Sequence, residues 1–84
     1  MLSTGNQLKA ARALIGMDQN ALADRAGVNV NTIRNMEARG PQGLTSGLDT
    51  VRKVQAALEE VGVEFLNHGR PGVRLRGLPT TEIA

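Results

Sequence analysis

The stretch "QNALADRAGVNVNTIRNMEA", residues 19–38, places two helical patterns on either side of one sharp turn. Two helices that are joined so closely need a small residue where they cross, and Ala23 lies at that position. The turn needs a left-handed residue four positions later, and Gly27 adopts that conformation at little cost. Apolar residues that could close the corner are Leu22, Ala26, Val28, Ile33 and Met36. The stretch therefore predicts two short helices held at a fixed angle.

Capping residues predict where the first two helices begin. Thr4 followed three residues later by Gln7 is a capping-box pattern, and apolar residues at helical spacing come after it. We therefore expect a first helix over about 4–15. Asp18 is a favourable N-cap residue and predicts a second helix over about 19–26.

Two further helices are expected downstream. Asn29 is a favourable N-cap residue and predicts a third helix over about 30–38. Ser46 with Asp49 three residues later forms a second capping-box pattern, which predicts the start of a fourth helix. This helix is expected to end at Gly62 and to have a stripe of Leu48, Val51, Val54 (or Gln55), Leu58 and Val61 at helical spacing.

Beyond Gly62 the apolar pattern changes from helical spacing to alternation. The segments "VEFLN" and "GVRLRG" alternate apolar and polar residues, and "HGRPG" between them has turn composition. We therefore expect a β-hairpin over about 63–76, followed by a flexible tail over 77–84. The apolar side of the hairpin would consist of Val63, Phe65, Val73 and Leu75. That side either packs beneath the fourth helix or forms a dimer interface, and the small core favours the interface.

Polar residues of the hairpin allow two readings. Arg70, Arg74 and Arg76 form either a second phosphate-binding patch or a charged strand face that discourages edge-to-edge aggregation. His68 is the one histidine of the chain and lies in the predicted turn, with no ligand partners nearby in sequence. We therefore expect no metal site, and the chain has no residue set typical of catalysis or of cofactor binding.

Length and composition limit the class of protein. Eighty-four residues form one domain, and with Phe65 as the single aromatic residue its core is small, so association into a dimer is expected. The chain has no cysteine, no apolar run long enough to span a membrane and no signal-peptide pattern, and we expect a cytoplasmic protein. A net charge of +2 and a pI near 9.9 are compatible with an anionic partner.

At the level of a family, residues 5–61 resemble the Cro/C1-type (XRE) helix-turn-helix domain of phage repressors and small bacterial regulators. The segment "LKAARALIGMDQNALADRAGVNVNTIRNMEARG" carries the resemblance. It implies a mainly α, four-helix, lambda-repressor-like domain, which here continues into the C-terminal β-hairpin. It also implies a non-enzymatic transcriptional regulator, more often a repressor, that binds double-stranded DNA as a homodimer.

The resemblance places the base-reading residues on the outward face of the third helix. They are Val30, Asn31, Arg34 and Asn35. Their chemistry agrees with this role. Asparagine can form two hydrogen bonds with adenine, arginine can bind guanine or a phosphate, and valine can contact a thymine methyl group.

Residues near the helix ends are expected to contact phosphates or to hold the helices together. The expected phosphate-contacting residues are Gln19, Asn20, Arg39 and Gly40. The family position of Gln19 commonly contacts the DNA backbone. Arg12 and Glu37 occupy positions that commonly form a buried or half-buried ion pair, with a structural role.

Two alternatives to DNA binding stay open at this point. The polar face of the third helix could be an ordinary solvated surface, since such faces are common on amphipathic helices. A domain of this kind can also serve as a protein-interaction module that sequesters a transcription factor or a toxin. The modest charge and the additional hairpin keep the second alternative open.

Overall fold

The computed structural model describes residues 1–76, which form four helices followed by a two-stranded antiparallel hairpin. The helices are α1 (Gly5–Ile15), α2 (Gln19–Ala26), α3 (Val30–Ala38) and α4 (Leu48–Glu60). The strands are β1 (Val63–Leu66) and β2 (Gly72–Leu75). The predicted mainly α fold with a C-terminal hairpin is therefore confirmed. The tail expected over 77–84 lies outside the described residues.

Local capping chemistry explains where the first three helices begin. Thr4 and Gln7 form the reciprocal capping box that their spacing predicts. Asp18 caps α2 and Asn29 caps α3, each by accepting a hydrogen bond from a backbone amide of the first turn. Gly27 ends α2 with a φ of 70°, in the left-handed region that the tight turn requires.

The predicted capping box at the start of α4 is wrong. The N-cap residue is Gly47 rather than Ser46, and no side chain caps this helix. Asp49 therefore lies one position too early for a capping box, although the helix dipole favours its charge in the first turn. The preceding loop pairs with the N-terminal segment, where the Leu44 amide donates to the Ser3 carbonyl over 3.0 Å. This tertiary contact, which local sequence does not encode, holds the chain ahead of α4.

One hydrophobic core joins the helices to the hairpin and to the N-terminal segment. Leu2 is almost fully buried in it, a contribution that the helical periodicity did not reveal. Leu48, which helical spacing places in the stripe of α4, is 54% exposed, and α4 ends at Glu60, with Val61 as its C-cap. The side chains that are most completely buried include Leu8, Leu22, Ile33, Met36, Val54, Leu58 and Val63.

The hairpin packs its apolar side on the core of its own chain. Val63 pairs with Leu75 and Phe65 with Val73, so the four apolar residues share one face and contact the core cluster. The buried Gln7 side chain fastens the hairpin to α1, because its Nε2 donates to the carbonyls of residues 66 and 72 over 3.0 and 3.1 Å. Packing within the chain thus accounts for this face, and dimerisation through the hairpin stays a prediction.

The start of α1 lies against the end of α3 with almost no space between them. A Cβ atom on Gly5 would lie 2.5 Å from the carbonyl oxygen of Met36 and 2.8 Å from the amide nitrogen of Gly40. The amide of Asn6 donates to the carbonyl of Gly40 over 2.8 Å. Glycine is therefore required at position 5 by the close approach of two helices, and the end of α3 is held firmly.

Candidate nucleic-acid interface

The corner between α2 and α3 sets the direction of α3. Leu22 and Ala23 of α2 are buried, as are Ile33 and Met36 of α3. The Val28 amide donates to the Ala23 carbonyl over 3.0 Å, which closes the turn. Because one side of each helix is packed into this corner, the opposite side of α3 is held towards the surface.

Three of the four predicted base-reading residues lie together on the exposed side of α3. Asn31, Arg34 and Asn35 are all exposed, and Nη1 of Arg34 donates to Oδ1 of Asn31 over 2.9 Å. Val30 differs from them, because it is half-buried and packs partly against the core. The exposed surface is therefore formed mainly by two amides and one guanidinium group.

Arg12 of α1 and Glu37 of α3 form an ion pair that joins the two helices. Nε and Nη2 of Arg12 donate to the two carboxylate oxygens of Glu37, over 2.5 and 2.9 Å. The hydrogen bond to Glu37 raises the pKa of Arg12 above its ordinary value, burial opposes this change, and the charges of Glu37 and Asp18 add to it. Arg12 also donates to the Met17 carbonyl, so it fixes the turn before α2.

The N-terminus of α2 presents two of the predicted phosphate-contacting residues. Gln19 is half-buried, and its Nε2 donates to Oε1 of Glu37 over 3.1 Å, while Asn20 is exposed. Both lie in the first turn, where backbone amides have no acceptor within the helix. The next amide, that of Ala21, is already occupied by the Asp18 side chain. This end of α2 can therefore donate hydrogen bonds to an anion.

The end of α3 offers less than the sequence predicted. The Arg39 amide donates to the Met36 carbonyl, and the Gly40 amide donates to the Glu37 carbonyl over 3.0 Å. The Gly40 amide is thus used within the chain and is not available to hold a phosphate. Arg39 is half-buried, and its Nε donates to the Gly43 carbonyl over 2.9 Å. Its terminal nitrogens are the groups here that could meet an anion.

The hairpin arginines are engaged to different degrees. Nε of Arg74 donates to Glu64 across the hairpin over 2.6 Å, and Arg76 donates to the Glu59 carbonyl at the end of α4. Arg70 is exposed in the turn, next to the exposed His68. Glu64 therefore offsets one of the three charges, that of Arg74, which leaves a weaker basic patch than the residue count indicates.

The described part of the chain shows which chemistry the site can perform. No group of three or more potential metal-ligating His, Cys, Asp or Glu side chains is found among residues 1–76. No helix within the same residues is long and apolar enough to cross a lipid bilayer. The exposed side of α3 and the start of α2 provide hydrogen-bond donors, and Arg34 adds a positive charge. These groups suit binding to the edges of bases and to phosphates.

The fold and the corner at Gly27 together define a helix-turn-helix unit formed by α2 and α3. A family model described as helix-turn-helix matches residues 8–65, about two thirds of the chain. The protein belongs to this family, the Cro/C1-type (XRE) helix-turn-helix domains, and is a DNA-binding regulator. The family is one of regulatory domains rather than of enzymes. A comparison with curated proteins gave no match.

Sequence reasoning missed two features that shape this site. The hydrogen bond between Gln19 and Glu37 joins residues on different helices, so no local pattern indicates it. The close contact at Gly5, in contrast, has a signal in the local sequence. Glycine is a poor helix former, so a glycine directly after an N-cap residue in a strong helical pattern indicates that another segment of the chain lies too close for a Cβ atom.

Proposed function

We propose that this protein is a cytoplasmic transcriptional repressor that binds a specific sequence in double-stranded DNA as a homodimer. In this proposal α3 enters the major groove. The observation that carries it is the division of α3 into two sides. Ile33, Met36 and Glu37 are buried against α1 and α2, while Asn31 and Arg34 are exposed. A helix held in this way presents its outer side chains from a fixed backbone position.

The proposed contacts follow from the exposure and chemistry of each residue. Asn31, Arg34 and Asn35 would bind base edges, because amide and guanidinium groups match the major-groove pattern of donors and acceptors. Val30 would contribute an apolar contact through the part of its side chain that the core leaves exposed.

Phosphates would be bound on both sides of α3. At the start of α2, the side chain of Gln19, the exposed Asn20 and the free amides of the first turn form one position. Beyond α3, the terminal nitrogens of Arg39 form the second position, and the Gly40 amide takes no part. These contacts would fix the orientation of the domain without reading sequence.

A homodimer explains how one short helix could supply enough contacts. Each protomer carries one recognition helix, so two half-sites about 34 Å apart, one turn of DNA, would be read by the pair. Repression would then need no surface beyond the one that occupies the promoter. The small core of this chain also favours association.

Duplex binding at several salt concentrations tests the proposal. A DNA-reading protein should bind one selected sequence more tightly than random duplex, and its affinity should fall steeply as salt increases, because bound cations are released from the DNA. Arg34→Ala should lose the preference at one position of the selected sequence, whereas Arg52→Ala removes an equal charge from the exposed side of α4 and should preserve it. Absence of DNA binding at low salt would contradict the proposal and favour the protein-interaction alternative.

A further inference from the structure

Arg34 and Asn31 are not independent side chains on the exposed side of α3. They lie three residues apart, about one turn, and Nη1 of Arg34 donates to the amide oxygen Oδ1 of Asn31 over 2.9 Å. An asparagine that reads adenine needs this oxygen, because it must accept from the adenine N6 amino group while its nitrogen donates to N7. In this structure Arg34 already fills one of the two acceptor positions of this oxygen.

Resting on the proposed function, we infer that Arg34 and Asn31 act as one unit that reads guanine. With one acceptor position of Oδ1 filled, the groups that the pair presents are mainly donors, namely the Nδ2 group of Asn31 and the remaining N–H groups of Arg34. Guanine presents two acceptors, O6 and N7, in the major groove, and a guanidinium group matches both. Asn31 therefore determines specificity mainly by positioning Arg34.

The distribution of acceptors on α3 supports a unit that presents mainly donors. Glu37 is the one carboxylate of this helix, and it is buried and bound to Arg12 and Gln19. It is therefore not available to accept from the amino groups of cytosine or adenine. Among the exposed polar residues of α3 that are proposed to read bases, only Asn35 keeps an amide oxygen outside the Arg34 hydrogen bond. Guanine is thus the base that the Arg34–Asn31 unit matches best.

The hydrogen bond also limits the freedom of Arg34 before DNA is bound. A long exposed side chain loses rotamer entropy when it binds, and a partner on the same helix face lowers that cost. Removal of Asn31 should therefore weaken the contact that Arg34 makes. This consequence separates the inference from independent reading, in which each residue would recognise a base of its own.

Selection of bound duplexes from a random library tests the inference. The wild-type protein, Asn31→Ala and Arg34→Ala are compared, with Arg52→Ala as a control of equal charge change and circular dichroism to show that each variant is folded. We expect the wild type to select a guanine and both α3 variants to lose preference at that same position. Loss of an adenine preference at a different position in Asn31→Ala would overturn the inference while leaving the proposed function intact. A wild type that selects no sequence would overturn both.

A base analogue and a conservative variant sharpen the result. In the selected duplex, 7-deazaguanine lacks the N7 acceptor but keeps O6, and we expect it to lower wild-type affinity by less than the about 5- to 150-fold of a whole bidentate base contact. The affinity of Arg34→Ala should not change with this analogue. Asn31→Asp keeps an oxygen for Arg34, so it should weaken binding to all duplexes yet retain the guanine preference. Equal loss of preference in Asn31→Asp and Asn31→Ala would count against positioning through the oxygen.

Discussion

Arg12 and Glu37 form a bidentate ion pair in which the Glu37 side chain is 4% exposed and the Arg12 side chain 18% exposed. The same carboxylate accepts from Gln19, so one buried group joins α1, α2 and α3. The relative orientation of these helices decides where the exposed side of α3 lies. The Arg12–Glu37 ion pair therefore also fixes the position of the surface that is proposed to bind DNA.

Glu37→Ala should destabilise the domain strongly. Loss of one partner of a buried ion pair costs about 3–5 kcal/mol, because the remaining charge is left without compensation. Arg12 retains some contact with solvent, so we expect a value near the lower end of this range. Chemical denaturation measures the change in the free energy of unfolding. Glu60→Ala, on the exposed side of α4, is the matched control and should have little effect. Equal stability of the two variants would contradict this role of the ion pair.

Gly5→Ala should also destabilise the protein, although alanine is normally the better helix former. The added Cβ would lie 2.5 Å from the Met36 carbonyl oxygen, a backbone atom that cannot turn away. Overpacking of this kind typically costs about 1–3 kcal/mol. The melting temperature of the variant, measured by circular dichroism, should be lower than that of the wild type. Asn6→Ala introduces alanine at the next, exposed position, and we expect it to leave the melting temperature almost unchanged.

Gln7→Ala should loosen the hairpin from α1. The substitution removes the amide that donates to the carbonyls of Leu66 and Gly72. A buried acceptor left without a partner costs about 1–3 kcal/mol, and because both residues are half-buried we expect a cost near the lower end for each. Relative to the wild type, hydrogen exchange in the variant should become faster at the amides of β1 and β2, and should change less at the amides of α2 and α3. Gln42→Ala removes an exposed glutamine and provides the control. Unchanged exchange in the hairpin would mean that apolar packing alone holds it.

The residues that cap the first three helices show why most of the fold could be predicted from the sequence. Thr4, Asp18, Asn29 and Gly27 act through groups within a few residues of themselves, so the sequence around each one indicates where a helix begins or ends. The start of α4 could not be predicted in this way. Its position depends on a loop that pairs with the N-terminal segment, a contact between residues far apart in sequence.

The candidate site also has features that the local sequence predicts and features that it does not. Helical spacing was sufficient to predict that Asn31, Arg34 and Asn35 share one exposed side of α3. It could not show that Arg34 binds Asn31, since the choice between solvent and a neighbour depends on side-chain rotamers. Nor could it show that the Gly40 amide is used within the chain, because that hydrogen bond depends on how α3 ends.

Gln19→Ala should lower affinity for all duplexes alike, in contrast to Arg34→Ala. The proposed partner of Gln19 is a phosphate, which carries no sequence information. Glu37 orients the side-chain amide of Gln19 by accepting a hydrogen bond from Nε2 of Gln19. Loss of one hydrogen bond to a charged group costs about 1.5–3 kcal/mol. Because glutamine is neutral, the slope of log affinity against log salt should stay the same. Arg39→Ala removes a cation and should reduce that slope by about one. Titration of a specific and a random duplex measures both quantities, and a Gln19→Ala effect confined to the specific duplex would refute the phosphate assignment.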